Sequence, residues 1–254
     1  RDREGACQQV GIWQEGEGGI MIKLVNATGA EKILPETIIF RSVSLNLNVP
    51  IQQLVGMDGG VKTGKTTIVP RQFSLEGRIY YPDKERIKDE FDSLLSFLMA
   101  SPIEVYRLEQ HDRFLLAHPQ GAPHSWIDLG KELELSIPMI ALDPYWHGPQ
   151  TTVEVASAQV VEVDGNAPVS PFVRTTGSVA GLTLLNRTSS NELIVSGAGV
   201  IEVDNEDFTC RINGNNRLDA VNREWLLSGF SLVPGANEII TSAPVELIYR
   251  PRWY

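Results

Sequence analysis

Asn222-Arg223-Glu224-Trp225-Leu226-Leu227-Ser228-Gly229-Phe230-Ser231-Leu232-Val233-Pro234-Gly235-Ala236-Asn237-Glu238-Ile239-Ile240, closing on Val245-Glu246-Leu247-Ile248-Tyr249-Arg250-Pro251-Arg252-Trp253-Tyr254, is the stretch that decides the architecture. Pro presets φ at about −65° and Gly tolerates positive φ, so Pro234-Gly235 reads as a reversal of the chain. The residues before it read as a strand and those after it as two closing strands, the last hairpin of a β-sandwich.

Working back from that hairpin, residues 153–163, 169–176, 181–185, 192–195, 200–203 and 208–212 are strand-like runs. Asp204-Asn205-Glu206-Asp207 and Asn213-Gly214-Asn215-Asn216 supply turns between them. Many short strands with frequent turn signals and no helical period predict an antiparallel sandwich over 149–254. Asp143-Pro144-Tyr145-Trp146-His147-Gly148-Pro149, dense in turn formers and aromatics, reads as the boundary with a separate domain over 1–148.

In that first part, 20–25, 37–48, 66–80, 103–107 and 126–140 read as strands. Phe73, Leu75 and Ile79 share one parity, and Pro70, which cannot donate to a ladder, makes its strand begin late, bulge or run at an edge. Tyr81-Pro82-Asp83 then ends the strand and opens a helix predicted over 84–100, with Asp83 as N-cap. Ile87, Phe91, Leu94, Leu95 and Leu98 recur at helical spacing as one apolar stripe, expected to pack on the sheet. The residue before Pro102 is pushed out of the α region, so the helix should stop by Ser101.

Composition bounds the function. At 254 residues two domains are expected, and 42% hydrophobic against 21% charged residues suits a packed core. No run approaches the roughly 18 apolar residues of a membrane-spanning helix, so membrane insertion is not expected. No signal-peptide pattern opens the sequence. Residues 1–148 hold 15 Lys and Arg against 20 Asp and Glu, and 149–254 hold 7 against 12, so each part carries −5. Neither offers the basic excess that grips phosphates, which argues against nucleic-acid binding. Cys7 and Cys210 lie far apart without CxxC spacing, against a zinc site or a disulfide framework.

Gly59-Gly60-Val61-Lys62-Thr63-Gly64-Lys65-Thr66 matches the phosphate-loop pattern letter for letter. That chemistry requires an apolar strand before the loop and a helix after it, so that amides converge on phosphate. Here a polar segment precedes and a β-branched run leading to Pro70 follows, so the segment reads as a Gly- and Lys-rich hairpin connection. His111, His118, His124 and His147 lack metal-ligand spacing, and no Gly-x-Ser-x-Gly elbow exposes a nucleophile. Acid pairs such as Glu202/Asp204 and Glu206/Asp207 read as solvated turn acids rather than glycosidase or calcium groups. Asn26-Ala27-Thr28 and Asn186-Arg187-Thr188 fit the glycosylation pattern by chance. No catalytic, cofactor-binding or metal-ligating set emerges, and an enzyme is not expected.

The Leu232-Val233-Pro234-Gly235-Ala236-Asn237 turn, the Tyr249-Arg250-Pro251-Arg252-Trp253 ending, the Asp143-Pro144-Tyr145-Trp146 junction and the helix following Gly77-Arg78-Ile79-Tyr80-Tyr81-Pro82-Asp83 resemble the distal tail protein family of siphophages. The resemblance covers nearly the whole chain. It implies a mainly β fold: an N-terminal split β-barrel or sandwich with one α-helix, then a C-terminal galectin-like antiparallel β-sandwich. It further implies a homohexameric ring in the virion tail tip, assembled in the host cytoplasm, that joins the tail tube protein to the tail-associated hub protein, meets the tape-measure protein and leaves a channel for DNA.

On this reading Gly59, Gly60, Lys62, Gly64 and Lys65 form an assembly loop, expected to be mobile in the free subunit and to order against a neighbouring subunit or tube ring. The rival reading is a carbohydrate-binding module or adhesin, whose sugar platform would be Trp225 and Phe230.

Overall fold

The computed structural model describes residues 22–35, 37–42, 47–48, 51–52, 61–62, 67–68, 70–80, 84–107, 112–120, 124–128 and 132–254. The N-terminal part runs β1 (Ile22–Asn26), β2 (Glu31–Leu34), β3 (Ile38–Ser42), β4 (Leu47–Asn48), β5 (Ile51–Gln52), β6 (Val61–Lys62), β7 (Thr67–Ile68) and β8 (Arg71–Tyr80). Helix α1 (Lys84–Met99) follows, then β9 (Ile103–Arg107), β10 (Phe114–Pro119), β11 (His124–Asp128), β12 (Glu132–Ala141) and β13 (Trp146–His147).

Its main sheet has the order β2-β1-β9-β10-β12-β8-β3. Strand β10 joins the two halves of a split barrel: its Phe114 to Ala117 pair β9, whereas His118 and Pro119 pair β12. The alternation read for β8 holds, with Phe73 and Leu75 buried and Ile79 packed at the core margin. Pro70 falls in the break between β7 and β8, where no ladder donor is needed. The run predicted over 126–140 is two strands, because the chain reverses between Asp128 and Glu132 and pairs β11 with β12. Strand β10 has no counterpart in the sequence reading.

In α1 the stripe divides. Leu94 and Leu98 are buried in the sheet's hydrophobic cluster, and each such burial is worth about 1.5–3 kcal/mol. Phe91 is only half-buried, because it sits at the margin of the cluster, and Leu95 is likewise half-buried. The expected N-cap Asp83 lies outside the described residues. Gly77 is required by close approach: a Cβ there would lie 2.1 Å from the Thr37 carbonyl oxygen.

The C-terminal part comprises β14 (Thr151–Val155), β15 (Ala158–Val163), β16 (Phe172–Thr175), β17 (Val179–Asn186), β18 (Asn191–Gly199), β19 (Ile201–Asp204), β20 (Thr209–Ile212), β21 (Asn215–Asn216), helix α2 (Arg223–Ser228), β22 (Gly235–Thr241), β23 (Val245–Tyr249) and β24 (Arg252–Trp253). Two antiparallel sheets, β14-β23-β16-β19-β20-β21 and β15-β22-β17-β18, face each other across one hydrophobic cluster. The run predicted over 153–163 splits into β14 and β15, one for each sheet, so the chain changes layers at 156–157.

The Pro234-Gly235 turn is stapled by Asn237. Its buried side-chain oxygen accepts from Val233 N–H at 2.9 Å, and its amide donates to the Val233 and Gly235 carbonyls at 2.7 and 2.9 Å. Gly235 has φ +85°, which L side chains avoid. The Leu-x-Pro-Gly-x-Asn string is therefore one hydrogen-bonded unit, and Asn186 ties it to β17 through Asn237 Oδ1 at 2.9 Å. Both glycosylation-like asparagines are turn formers: the Asn26 and Asn186 oxygens accept from the amides of Thr28 and Thr188.

The strand read before that turn is instead α2 over Arg223–Ser228. Arg, Glu and Leu are good helix formers, and Gly229 at φ +65° closes the helix by donating to the Trp225 carbonyl. Strand alternation would have hidden Leu227 with Trp225, yet Leu227 is 78% exposed.

Candidate assembly site at the domain junction and the arm

Residues 142–150 carry the chain from the barrel to the sandwich, and two features of this region are unlike an ordinary linker. First, the junction itself supplies β13, whose His147 pairs Phe114 of β10. Second, the far end of the sandwich returns to it: Trp146 pairs Trp253 and His147 pairs Arg252. The last strand thus belongs to the N-terminal sheet, and a boundary at 148/149 does not separate all the pairings.

The return is held by a seat of backbone and rings. Gly148 N–H donates to the Pro251 carbonyl at 2.8 Å, and Arg250 reaches back to the Gly148 carbonyl at 3.3 Å. On the sandwich side Asn166 N–H donates to the Arg252 carbonyl at 3.0 Å, and the Tyr254 amide donates to Asn166 Oδ1 at 2.9 Å. Two glycines admit the strand: a Cβ at Gly165 would lie 2.3 Å from the Arg252 carbonyl oxygen, and one at Gly148 would lie 2.8 Å from the Trp253 ring. The Arg113 guanidinium lies 3.7 Å from the Trp253 ring centroid, Arg250 lies over Phe114, and Tyr145 packs against Tyr254.

A charged chain crosses the same place. The Arg252 guanidinium lies 2.9 Å from Asp143 Oδ2 and also pairs with Glu206, while His147 Nε2 lies 3.2 Å from the same Asp143 oxygen. Burial pushes the Asp143 carboxyl up, but His147, Arg252 and the Tyr145 amide outweigh it and hold it below its ordinary value. Glu206 belongs to the 204–207 turn, whose Asn205 is one of the buried polar residues of the sandwich. Asn205 Oδ1 accepts from the Trp225 indole and from Phe230 N–H, and its amide donates to the Pro171 carbonyl. Beneath the returning strand an open cleft of about 460 Å³ separates the two parts, lined by Glu104 and Phe114 on one side and by Phe172, Asp207 and Ile248 on the other.

The second surface is an arm. Strand β4 pairs β7 with Leu47 opposite Ile68, and β5 pairs β6 with Ile51 opposite Lys62. From the pair Ser42 and Phe73 in β3–β8 to the pair Leu47 and Ile68, each strand advances five residues. The β3–β8 and β4–β7 ladders therefore share one register. Of the predicted assembly loop, Lys62 stands on β6, whereas Gly59, Gly60, Gly64 and Lys65 lie outside the described residues. The element following the phosphate-loop match, β7, is a strand.

Trp225 and Phe230, read as a possible sugar platform, are both fully buried. Trp225 packs into the sandwich core with its indole N–H satisfied by Asn205, so neither ring faces a ligand. Glu202 pairs with Arg174 at 3.5 Å, and Asp204 accepts the Glu206 and Asp207 amides, so these acids organise strand and turn. His118 shares a hydrogen bond with Ser101. Among the described residues no group of three or more His, Cys, Asp or Glu could hold a metal ion. Sequence reading missed the returning strand; the signal for it was the pair Gly148 and Gly165, legible only once the tail is seen to pass between them.

Residues 164–253 match the family model SPP1_Dit, described as the C-terminal domain of a siphovirus-type tail component. The solved structure of SPP1 Dit (gp 19.1), described as a paradigm of the hub adsorption apparatus in phages infecting Gram-positive hosts, superposes on 92% of this chain and 99% of its own. Its TM-score is 0.72 and its identity 15%, which is a likeness of fold. A chain of the phage P2 baseplate in its activated conformation with Ca aligns over 90% of this chain and 97% of its own, at TM-score 0.47 and 12% identity. No curated protein sequence matches. The sandwich thus matches the siphovirus-type tail component model over 164–253, and the chain shares its fold over nearly its whole length with a Dit protein.

Proposed function

We propose that the protein is a structural component of a phage tail tip, located in the virion and assembled in the host bacterial cytoplasm. Six copies form a closed ring that joins the tail tube protein to the tail-associated hub protein and meets the tape-measure protein, leaving a central channel for DNA. Residues 1–148 form the ring and 149–254 the outward sandwich. The observation that carries this reading is the family match over 164–253, on a fold like that of a hub adsorption protein. Its work is binding and positioning rather than catalysis. An acidic chain with −10 net charge suits a conduit that must not adhere to DNA phosphate, and ring closure is the expected way for a sheet-rich chain to cover open strand edges.

The arm supports the reading in a second way. Among the described residues its ladders β4–β7 and β5–β6 are two-stranded, so each strand offers a backbone edge to a neighbouring subunit or tube ring. Gly59, Gly60, Lys62, Gly64 and Lys65 form its contact loop. The sugar-binding alternative loses its platform with the burial of Trp225 and Phe230.

Sedimentation mass in solution tests the ring: a particle of six times the 28.1 kDa protomer is expected, and a monomer at every concentration would refute it. Deleting residues 57–65 should leave the protomer's melt unchanged and abolish the six-fold particle or its binding to tube protein. Unaltered assembly would remove the arm from the proposal.

A further inference from the structure

We propose that residues 250–254 are a latch that fixes the orientation of the sandwich on the barrel, and that releasing them leaves both parts folded but free to swing about the link at 148–151. The two parts have separate interiors. One hydrophobic cluster is built from residues of the sandwich, the other from the barrel and α1 with only Trp253 packed against it from the far end of the chain. The hydrogen bonds, ion pairs and ring contacts described above that cross from barrel or junction to sandwich all come from 250–254: Arg250 on Gly148 and Phe114, Pro251 on Gly148, Arg252 on Asp143, Trp253 beneath Arg113, and Tyr254 on Tyr145. Beside these contacts an open cleft lies between the two parts. Parts of a chain joined by a small, polar contact move relative to each other unless something fixes them.

The fixing element is small enough to open alone. It is a two-pair ladder at the edge of a sheet, and Trp253 is half-buried rather than sunk in a core. Local opening of such a segment costs far less than unfolding either hydrophobic cluster. Its seat is nonetheless specific, because a side chain at Gly148 or Gly165 would collide with the Trp253 ring or the Arg252 backbone. A latch of this kind has two discrete positions, seated and free. The proposal concerns the single chain and does not depend on the number of subunits in a ring.

Distances between nitroxide labels at Lys88→Cys on α1 and Ser196→Cys on β18 test it in the full-length chain. Cys7→Ser removes one native thiol, and Cys210, buried with its thiol pushed up to about 11 by burial, stays unlabelled. Labelled protein is diluted with unlabelled protein so that only distances within one chain are read. The unaltered chain should give one narrow distribution. Arg252→Ala with Trp253→Ala should broaden it at least two-fold with the circular dichroism spectrum unchanged, and Gly165→Ala, which removes no contact but crowds the Arg252 carbonyl, should do the same. A distribution that stays narrow in both variants would overturn the proposal. So would loss of folded structure in the double variant with a narrow distribution in Gly165→Ala, since the tail would then be part of the fold and not a latch.

Discussion

Replacing Asn205 by Ala removes a buried polar side chain that ties the 204–207 turn to Trp225, Phe230 and Pro171 in the sandwich. Asn205 is 2% exposed, and its partners Trp225 and Phe230 are fully buried. The substitution strands two buried donors, the Trp225 indole N–H and the Phe230 amide, and leaves the Pro171 carbonyl without its side-chain donor. An orphaned buried group costs about 1–3 kcal/mol, so the two donors alone amount to about 2–6 kcal/mol. Against a total stability of about 5–15 kcal/mol for a domain, that is a large share. Urea unfolding of the full chain, followed by far-ultraviolet circular dichroism, should show one transition moved to markedly lower denaturant. Glu206→Ala, on the same turn but exposed, should cost within about 1 kcal/mol because its pairing with Arg252 is partly solvated. Equal losses for the two variants would refute the reasoning, since the turn and not the buried amide would then be what matters.

Three other outcomes are expected. Leu94→Ala should cost about 2–5 kcal/mol by thermal or chemical unfolding, and Phe91→Ala less than Leu94→Ala, because Phe91 is only half-buried and leaves no closed cavity. Asp143 is held below its unfolded value of about 3.9, so the stability it contributes is fully present above that pH and lost as pH falls through the folded value; Tm curves of the unaltered protein and Asp143→Asn should differ at neutral pH and meet in acid. Millimolar ATP or GTP should leave Tm unchanged, whereas a ligand at 100 times its Kd adds about 2.7 kcal/mol; a shift that vanished in Lys65→Ala would restore the phosphate-loop reading.

What could be read from the sequence depended on how local the signal was. The α1 stripe and its stop before Pro102 are properties of one segment, and the helix ends at Met99. The alternation of Phe73, Leu75 and Ile79 needs only one strand and one core face. Residues 223–228 failed because a buried Trp next to a turn invites a strand reading, while the helix-forming run and Gly229 argue the reverse. The breaks in 126–140 and 153–163 were invisible because both sides of each break are equally β-prone, and only the partner strands decide where the chain turns. The junction was recognised as a boundary from its composition. That the last strand crosses back to it is a relation between residues about a hundred positions apart, which periodicity does not encode.

The shared register of the barrel hairpin and the arm has a mechanical meaning. Strand β8 pairs β3 from Phe73 to Gly77 and lies against β12 over ten consecutive residue pairs, Arg71 opposite Ala141 through Tyr80 opposite Glu132. Tension applied at the arm is delivered along the axis of β8. It loads those rungs in parallel as shear, so that many must fail together, whereas a pull across the strand would unzip them one at a time. An arm in register with the β3–β8 ladder is therefore anchored through β8 like a splice rather than a hinge, and strain on it would be spread through the sheet before it reached the sandwich.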